Sequence, residues 1–94
     1  MEIGKFRHKG LRRLYEDDDQ SGVPVASAKR LRNILAALEF AADLDQLETM
    51  PGWKLHQLRG ERRGTYAMSV TGNWRLTFSV DEGTVTDLDF EDYH

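Results

Sequence analysis

Cysteine is absent from the chain, so neither a disulfide nor a thiolate metal site can brace it, which fits a reducing, cytoplasmic setting. Long apolar runs are absent too. The longest aliphatic stretch, Ile34 to Leu38, is far too short to cross a bilayer, so no membrane association is expected. The basic N-terminal segment (Lys5, Arg7, Lys9, Arg12, Arg13) has no apolar core after it, as a signal peptide would need. Only two prolines occur, and both fall at breaks in the hydrophobic pattern. Repeats, linkers and low-complexity tracts are missing, as is the clustered carboxylate set that a two-metal nuclease requires.

What remains is small and mixed in charge. Ninety-four residues make a single domain spanning 1–94, able to bury about two-thirds of its unfolded surface. The net charge of −3 argues mildly against a generic nucleic-acid binder, but distribution matters more than the sum. Acids gather at Glu16 to Asp19, Glu39 to Glu48 and Asp81 to Asp92. Bases gather at 5–13, at Lys29, Arg30 and Arg32, and at Lys54, Arg59, Arg62 and Arg63.

Periodicity gives the element order. Glu2 to Phe6 reads as a short strand and His8 to Glu16 as a helix with Leu11, Leu14 and Tyr15 on one stripe. After an acidic loop ending at Pro24, Val25 to Ala42 reads as a second helix, with Ala28, Leu31, Ile34 or Leu35, Leu38 and Ala41 or Ala42 at helical spacing. Asp43 to Met50 is an acidic connector. Beyond Pro51-Gly52 the period falls to two: Trp53 to Arg59, Tyr66-Met68-Val70, Trp74-Leu76-Phe78-Val80, and Thr86-Leu88-Phe90 as inward positions of strands. Gly72-Asn73 is a tight hairpin turn in which both residues tolerate positive φ, and Asp81-Glu82-Gly83 a second hairpin loop. The fold class is α+β: two N-terminal helices packed on a mostly antiparallel sheet of four to five strands.

Alternation sends Arg75 and His56 away from Trp74, Leu76, Trp53 and Leu55, onto the sheet face without helices. Tyr93 and His94 lie beyond Phe90, where strand parity no longer assigns a face; with His56 and the arginines they bring the set to two imidazoles, guanidiniums and a phenol. Imidazole titrates near neutrality and suits proton transfer. Guanidinium supplies fixed positive charge for a dianion-like transition state. That set suits metal-independent cleavage of a phosphodiester, with no cofactor. Alternatives attach to each residue: a solvated terminus for His94, a surface strand position for His56, a cross-strand ion pair with an acid such as Asp87 or Asp89 for Arg75, a pure turn role for Asn73, and a divalent site from Asp92, His94 and His56.

Five stretches in order, Phe6-Arg7-His8-Lys9-Gly10-Leu11, Ala28-Lys29-Arg30-Leu31-Arg32, Pro51-Gly52-Trp53-Lys54-Leu55-His56, Gly72-Asn73-Trp74-Arg75-Leu76-Thr77-Phe78 and Asp92-Tyr93-His94, resemble the HigB branch of the RelE/ParE toxin superfamily over essentially the whole chain. The resemblance implies a small RelE-like RNase fold and a ribosome-dependent endoribonuclease that cuts messenger RNA in the A site. It implies His56, Arg75, Asp92, Tyr93 and His94 as catalytic, with Asn73 in support. Lys54 and Arg59 would contact RNA, with Arg59 where the family commonly has Lys. Lys29, Arg30 and Arg32, on the polar side of the second helix, read equally as contacts to ribosomal RNA phosphates or as solvated charges. The implied partners are a HigA-type helix-turn-helix antitoxin, the 70S ribosome with its messenger RNA, and operator DNA only through the antitoxin. Two other functions stand beside it: a catalytically degenerate toxin serving as an antitoxin-binding module, and the superfamily's gyrase poisoning.

Overall fold

Two helices cover one face of a five-stranded sheet and leave the other face bare of helix. The computed structural model describes residues 1–92; Tyr93 and His94 lie outside the described residues. The elements are β1 (Glu2–Ile3), α1 (Lys9–Asp17), α2 (Val25–Phe40), β2 (His56–Gln57), β3 (Tyr66–Ser69), β4 (Trp74–Asp81) and β5 (Thr84–Asp92), with 3₁₀ turns at Leu44–Leu47 and Gly60–Arg62. Across the sheet the order is β1-β5-β4-β3-β2. β1 runs parallel to β5, and the remaining pairs are antiparallel. Among the described residues no helix is long and apolar enough to cross a membrane.

The helices start and stop for local reasons. His8 is the N-cap of α1 rather than its first residue, because its Nδ1 accepts the Leu11 N–H at 3.1 Å. Asp18 ends α1 in the left-handed region at φ 52. A Cβ on Gly10 would lie 2.2 Å from the Gly22 carbonyl oxygen. Only glycine lets the start of α1 press against the loop leading to α2. α2 buries Ala28, Leu31, Ile34, Leu35 and Leu38, the stripe that its spacing predicts. These side chains meet Leu11 and Leu14 of α1 and Met68, Leu76, Phe78, Val85, Leu88 and Phe90 of the sheet in one apolar cluster.

β4 alternates as its sequence predicts: Leu76 and Phe78 are fully buried under the helices, with Trp74 and Val80 packed at the cluster's margin. The hairpin to β5 turns through Glu82 and Gly83, both left-handed at φ 49 and 81, the mirror-type turn that suits twisted strands. Val80 pairs with Val85, yet further along Leu76 pairs with Phe90. The residue sums differ by one because Asp87 and Leu88 together face Phe78, a β-bulge with Asp87 left-handed at φ 54.

The bulge corrects one inward assignment. Thr86 pairs with Ser79 on the open face, and Val85, with no exposure, takes the inward place. Two further expectations change. The hairpin between β3 and β4 spans Thr71 to Asn73, closed by Trp74 N–H to Thr71 O at 2.9 Å, and only Gly72 is left-handed there. The strand expected over Trp53 to Arg59 shortens to His56–Gln57. Left-handed Lys54 (φ 50) kinks the chain before it, and left-handed Gly60 (φ 69) turns the chain away after it.

Candidate active site

The open face is laid out by strand register. His56 pairs with Ala67, Ala67 with Thr77, and Thr77 with Asp89, forming one row across β2, β3, β4 and β5. The next row on the same face is Ser69, Arg75 and Glu91. His56 and Arg75 therefore share a surface, two strands and two residues apart, or roughly 12 Å between Cα atoms from ordinary strand spacing.

His56 is held from its own side of the sheet. Trp53 is an anchor in the core, and its carbonyl accepts the Ser69 N–H at 2.7 Å. The Pro51-Gly52 turn is clamped by Arg30, whose guanidinium donates to the Gly52 carbonyl at 2.6 Å. His56 Nδ1–H donates to the Lys54 carbonyl at 2.8 Å. A carbonyl can only accept, so that bond fixes the tautomer and leaves Nε2 as the ring nitrogen outside it.

Arg75 is built into an ion-pair network. Its Nε and a terminal nitrogen lie 3.0 and 2.8 Å from Glu91 Oε1. Arg62, on the 3₁₀ turn between β2 and β3, grips the same carboxylate in a fork: 2.9 Å to Oε1 and 3.1 Å to Oε2. The Arg62 hydrogen bonds, with Arg75 adding to them, hold the Glu91 carboxyl below the usual carboxylate range against the opposing effect of burial. The same bonds raise the Arg62 guanidinium further. Arg75 does sit in a cross-strand ion pair, and the acid is Glu91. Asp87 faces Arg7 at 3.8 Å. Beside the network lies a polar cleft of about 230 Å³ lined by Arg62, Thr65, Thr77, Ser79, Asp87 and Asp89 among others.

The other sequence candidates divide. Asp92 ends the described part of β5, exposed and paired with Trp74 next to Arg75. Tyr93 and His94 follow it in sequence, outside the described residues. Asn73 is exposed in the hairpin loop, whose Thr71 hydroxyl lies 2.6 Å from the Ser27 hydroxyl of α2. Lys54 and Arg59 are exposed on the approaches to β2. Lys29, Arg30 and Arg32 belong to α2, across the sheet from Arg75. Of these, Arg30 is engaged with Gly52 and Arg32 with Asp18 at 2.8 Å. Among the described residues no three His, Asp or Glu gather as metal ligands; the alternative set of Asp92, His94 and His56 includes a residue outside them.

Sequence reading missed the pairing of Arg62 and Glu91. Counting residues back from the Glu82-Gly83 turn without a bulge puts Phe90 opposite Arg75. The extra residue at Asp87 moves Glu91 there. The signal available beforehand was the unusual polar alternation Asp87, Asp89, Glu91, which demands a cationic partner on a neighbouring strand.

A helix pair covers one side of the sheet, and the other side carries the Arg62 and Arg75 guanidiniums. The family model for HigB-like toxins, described as the RelE-like toxin of the type II toxin-antitoxin system HigB, matches residues 4–94. The chain belongs to that family. It is 39% identical over 92 residues to the endoribonuclease HigB of Proteus vulgaris, covering 98% of this chain and 99% of that protein. Solved structures share the fold at low identity. YafQ from E. coli strain BL21(DE3) superposes with a TM-score of 0.56 at 13% identity, covering 97% of this chain and 91% of YafQ. The YoeB–YefM complex of Staphylococcus aureus gives a chain with a TM-score of 0.55 at 17% identity, covering 100% of this chain and 97% of that one.

Proposed function

We propose that the protein is the toxin of a type II toxin-antitoxin pair and acts as an endoribonuclease that cuts messenger RNA in the ribosomal A site without a metal. The observation that carries the reading is the shared face of His56 and Arg75, with β5 running alongside to Asp92. The Proteus relative's name supports ribonuclease activity.

In this scheme one imidazole takes the proton of a ribose 2′-OH, and the oxygen attacks the adjacent phosphorus. The bond from phosphorus to the 5′-oxygen breaks, and the second imidazole protonates that leaving oxygen. The products are a 2′,3′-cyclic phosphate, which water opens to a 3′-phosphate, and a 5′-hydroxyl end. His56 Nε2 and His94 fill the two proton-transfer roles. Arg75 stabilises the charge on the phosphoryl oxygens. Asp92 orients His94, Tyr93 contacts the nucleotide, and Asn73 supports the site. Lys54 and Arg59 hold the RNA backbone, while Lys29, Arg30 and Arg32 serve ribosomal RNA from the helix side. A HigA-type helix-turn-helix antitoxin is the partner, and operator DNA is reached only through it.

A second reading, a catalytically silent homologue kept to bind its antitoxin, draws on one observation: Glu91 already occupies the Arg75 guanidinium. Primer extension on translating ribosomes separates the two. The toxin reading expects new 3′ ends inside codons when purified protein is added, and little cutting of the same RNA without ribosomes. Intact messenger RNA alongside tight antitoxin binding would establish the silent homologue instead.

A further inference from the structure

Glu91 Oε1 accepts an N–H of Arg62 at 2.9 Å and the Nε–H of Arg75 at 3.0 Å, and a terminal nitrogen of Arg75 lies 2.8 Å from the same oxygen. Those distances and that convergence are what an oxyanion requires of its donors. The oxygen is a carboxylate oxygen, and a phosphoryl oxygen has the same preference for forked guanidinium contact. The network is only partly covered, with side-chain exposures of 46% for Arg62, 16% for Arg75 and 25% for Glu91. A carboxylate there has a path to solvent.

Resting on the ribonuclease reading above, we propose that Arg62 is a second phosphate-binding residue and that the Glu91 carboxylate holds the place of a substrate phosphoryl oxygen until RNA displaces it. Charge supports the exchange. A phosphodiester carries one negative charge, as the carboxylate does, and replaces it one for one. As the transition state gains negative charge, both guanidiniums face it. Arg62 comes from the connection between β2 and β3 and Arg75 from β4, so the two donors approach from different elements and fix the oxygen between them. Glu91 also keeps the two like charges together in the absence of RNA, so the cradle is formed before the substrate arrives.

The test uses the purified chain and an uncleavable probe, an RNA trinucleotide carrying 2′-O-methyl groups, titrated by fluorescence anisotropy. Glu91→Gln keeps the side chain's shape and removes its charge; it is expected to bind the probe roughly tenfold tighter than the parent. Arg62→Ala is expected to bind more weakly, and adding it to Glu91→Gln removes most of the gain. Arg62→Lys, which keeps charge but loses the fork, falls between. Thermal unfolding of each variant checks that the exposed substitutions leave the fold intact. Equal or weaker binding by Glu91→Gln, or a double variant that keeps the whole gain, overturns the proposal. Ribosomal cleavage run in parallel separates the two ideas. Tighter binding by Glu91→Gln with no cleavage by the parent sinks the ribonuclease reading and keeps the anion site. Cleavage by the parent without tighter binding does the reverse.

Discussion

The two faces of β4 follow opposite rules although their residues alternate along one strand. Leu76 and Phe78 are fully buried against α1 and α2, where close packing sets their contribution. Arg75, one residue before Leu76, is part of a charged network with Arg62 and Glu91. The inner face supplies stability and tolerates little change of volume; the outer face carries the proposed chemistry, and its partly covered ion pairs lose to desolvation much of what their attraction gains. On the proposed function, the reactive groups stand on a sheet that is packed from its other side.

Substitutions can break this contrast. The largest loss of stability is expected for Phe78→Ala, which removes a fully buried ring stacked 5.9 Å from Tyr66. It should cost about 3–5 kcal/mol in urea unfolding. Arg75→Ala should do the opposite: unfold close to the parent yet cut messenger RNA about 10²–10³ times more slowly. A parent-like rate for Arg75→Ala would remove Arg75 from the chemistry.

Smaller effects sharpen the comparison at the bulge. Asp87 is left-handed at φ 54, a region that Asp tolerates and β-branched residues do not. Asp87→Val should cost about 1–2 kcal/mol in the same unfolding measurement, whereas Asp87→Gly should be close to neutral. Because the bulge sets Glu91 opposite Arg75, Asp87→Val should also slow cleavage. Unfolding midpoints for Val and Gly that coincide would show that this backbone conformation is not required.

The smallest effect concerns pH. Glu91 is held below its ordinary value of 4.5, first by Arg62. A depressed carboxylate contributes stability above its unfolded pKa and loses it as pH falls through the folded pKa. The parent should therefore be slightly more stable than Glu91→Gln at neutral pH, with the difference vanishing in acid below 4.5. A gap that stays constant down to pH 3 would place the ion pair's contribution elsewhere.

Much of the fold was legible because burial writes itself as period. The stripe from Ala28 to Leu38 and the alternation from Trp74 to Val80 need no tertiary information. The face of His56 and Arg75 followed from the same alternation. What escaped was whatever depends on a single residue's φ. Left-handed Asp87 inverted the parity of Thr86 and chose the partner of Arg75, and no hydrophobic pattern encodes it. Left-handed Lys54 likewise shortened β2. The Arg62 fork depends on a connection that returns over the sheet, a long-range event that local sequence does not announce.

The most direct measurement is the single-turnover rate of messenger RNA cleavage on programmed ribosomes for two pairs of variants, one pair on each side of the sheet. The account predicts that His56→Ala and Arg75→Ala each lower the rate at saturating protein by about 10²-fold or more. Lys29→Ala and Arg32→Ala, on the helix side, should leave that saturating rate unchanged and alter only the concentration needed to reach it. The reverse pattern, with full cleavage by both open-face variants and a collapsed saturating rate in the helix pair, would contradict the assignment of the open face as the site of chemistry.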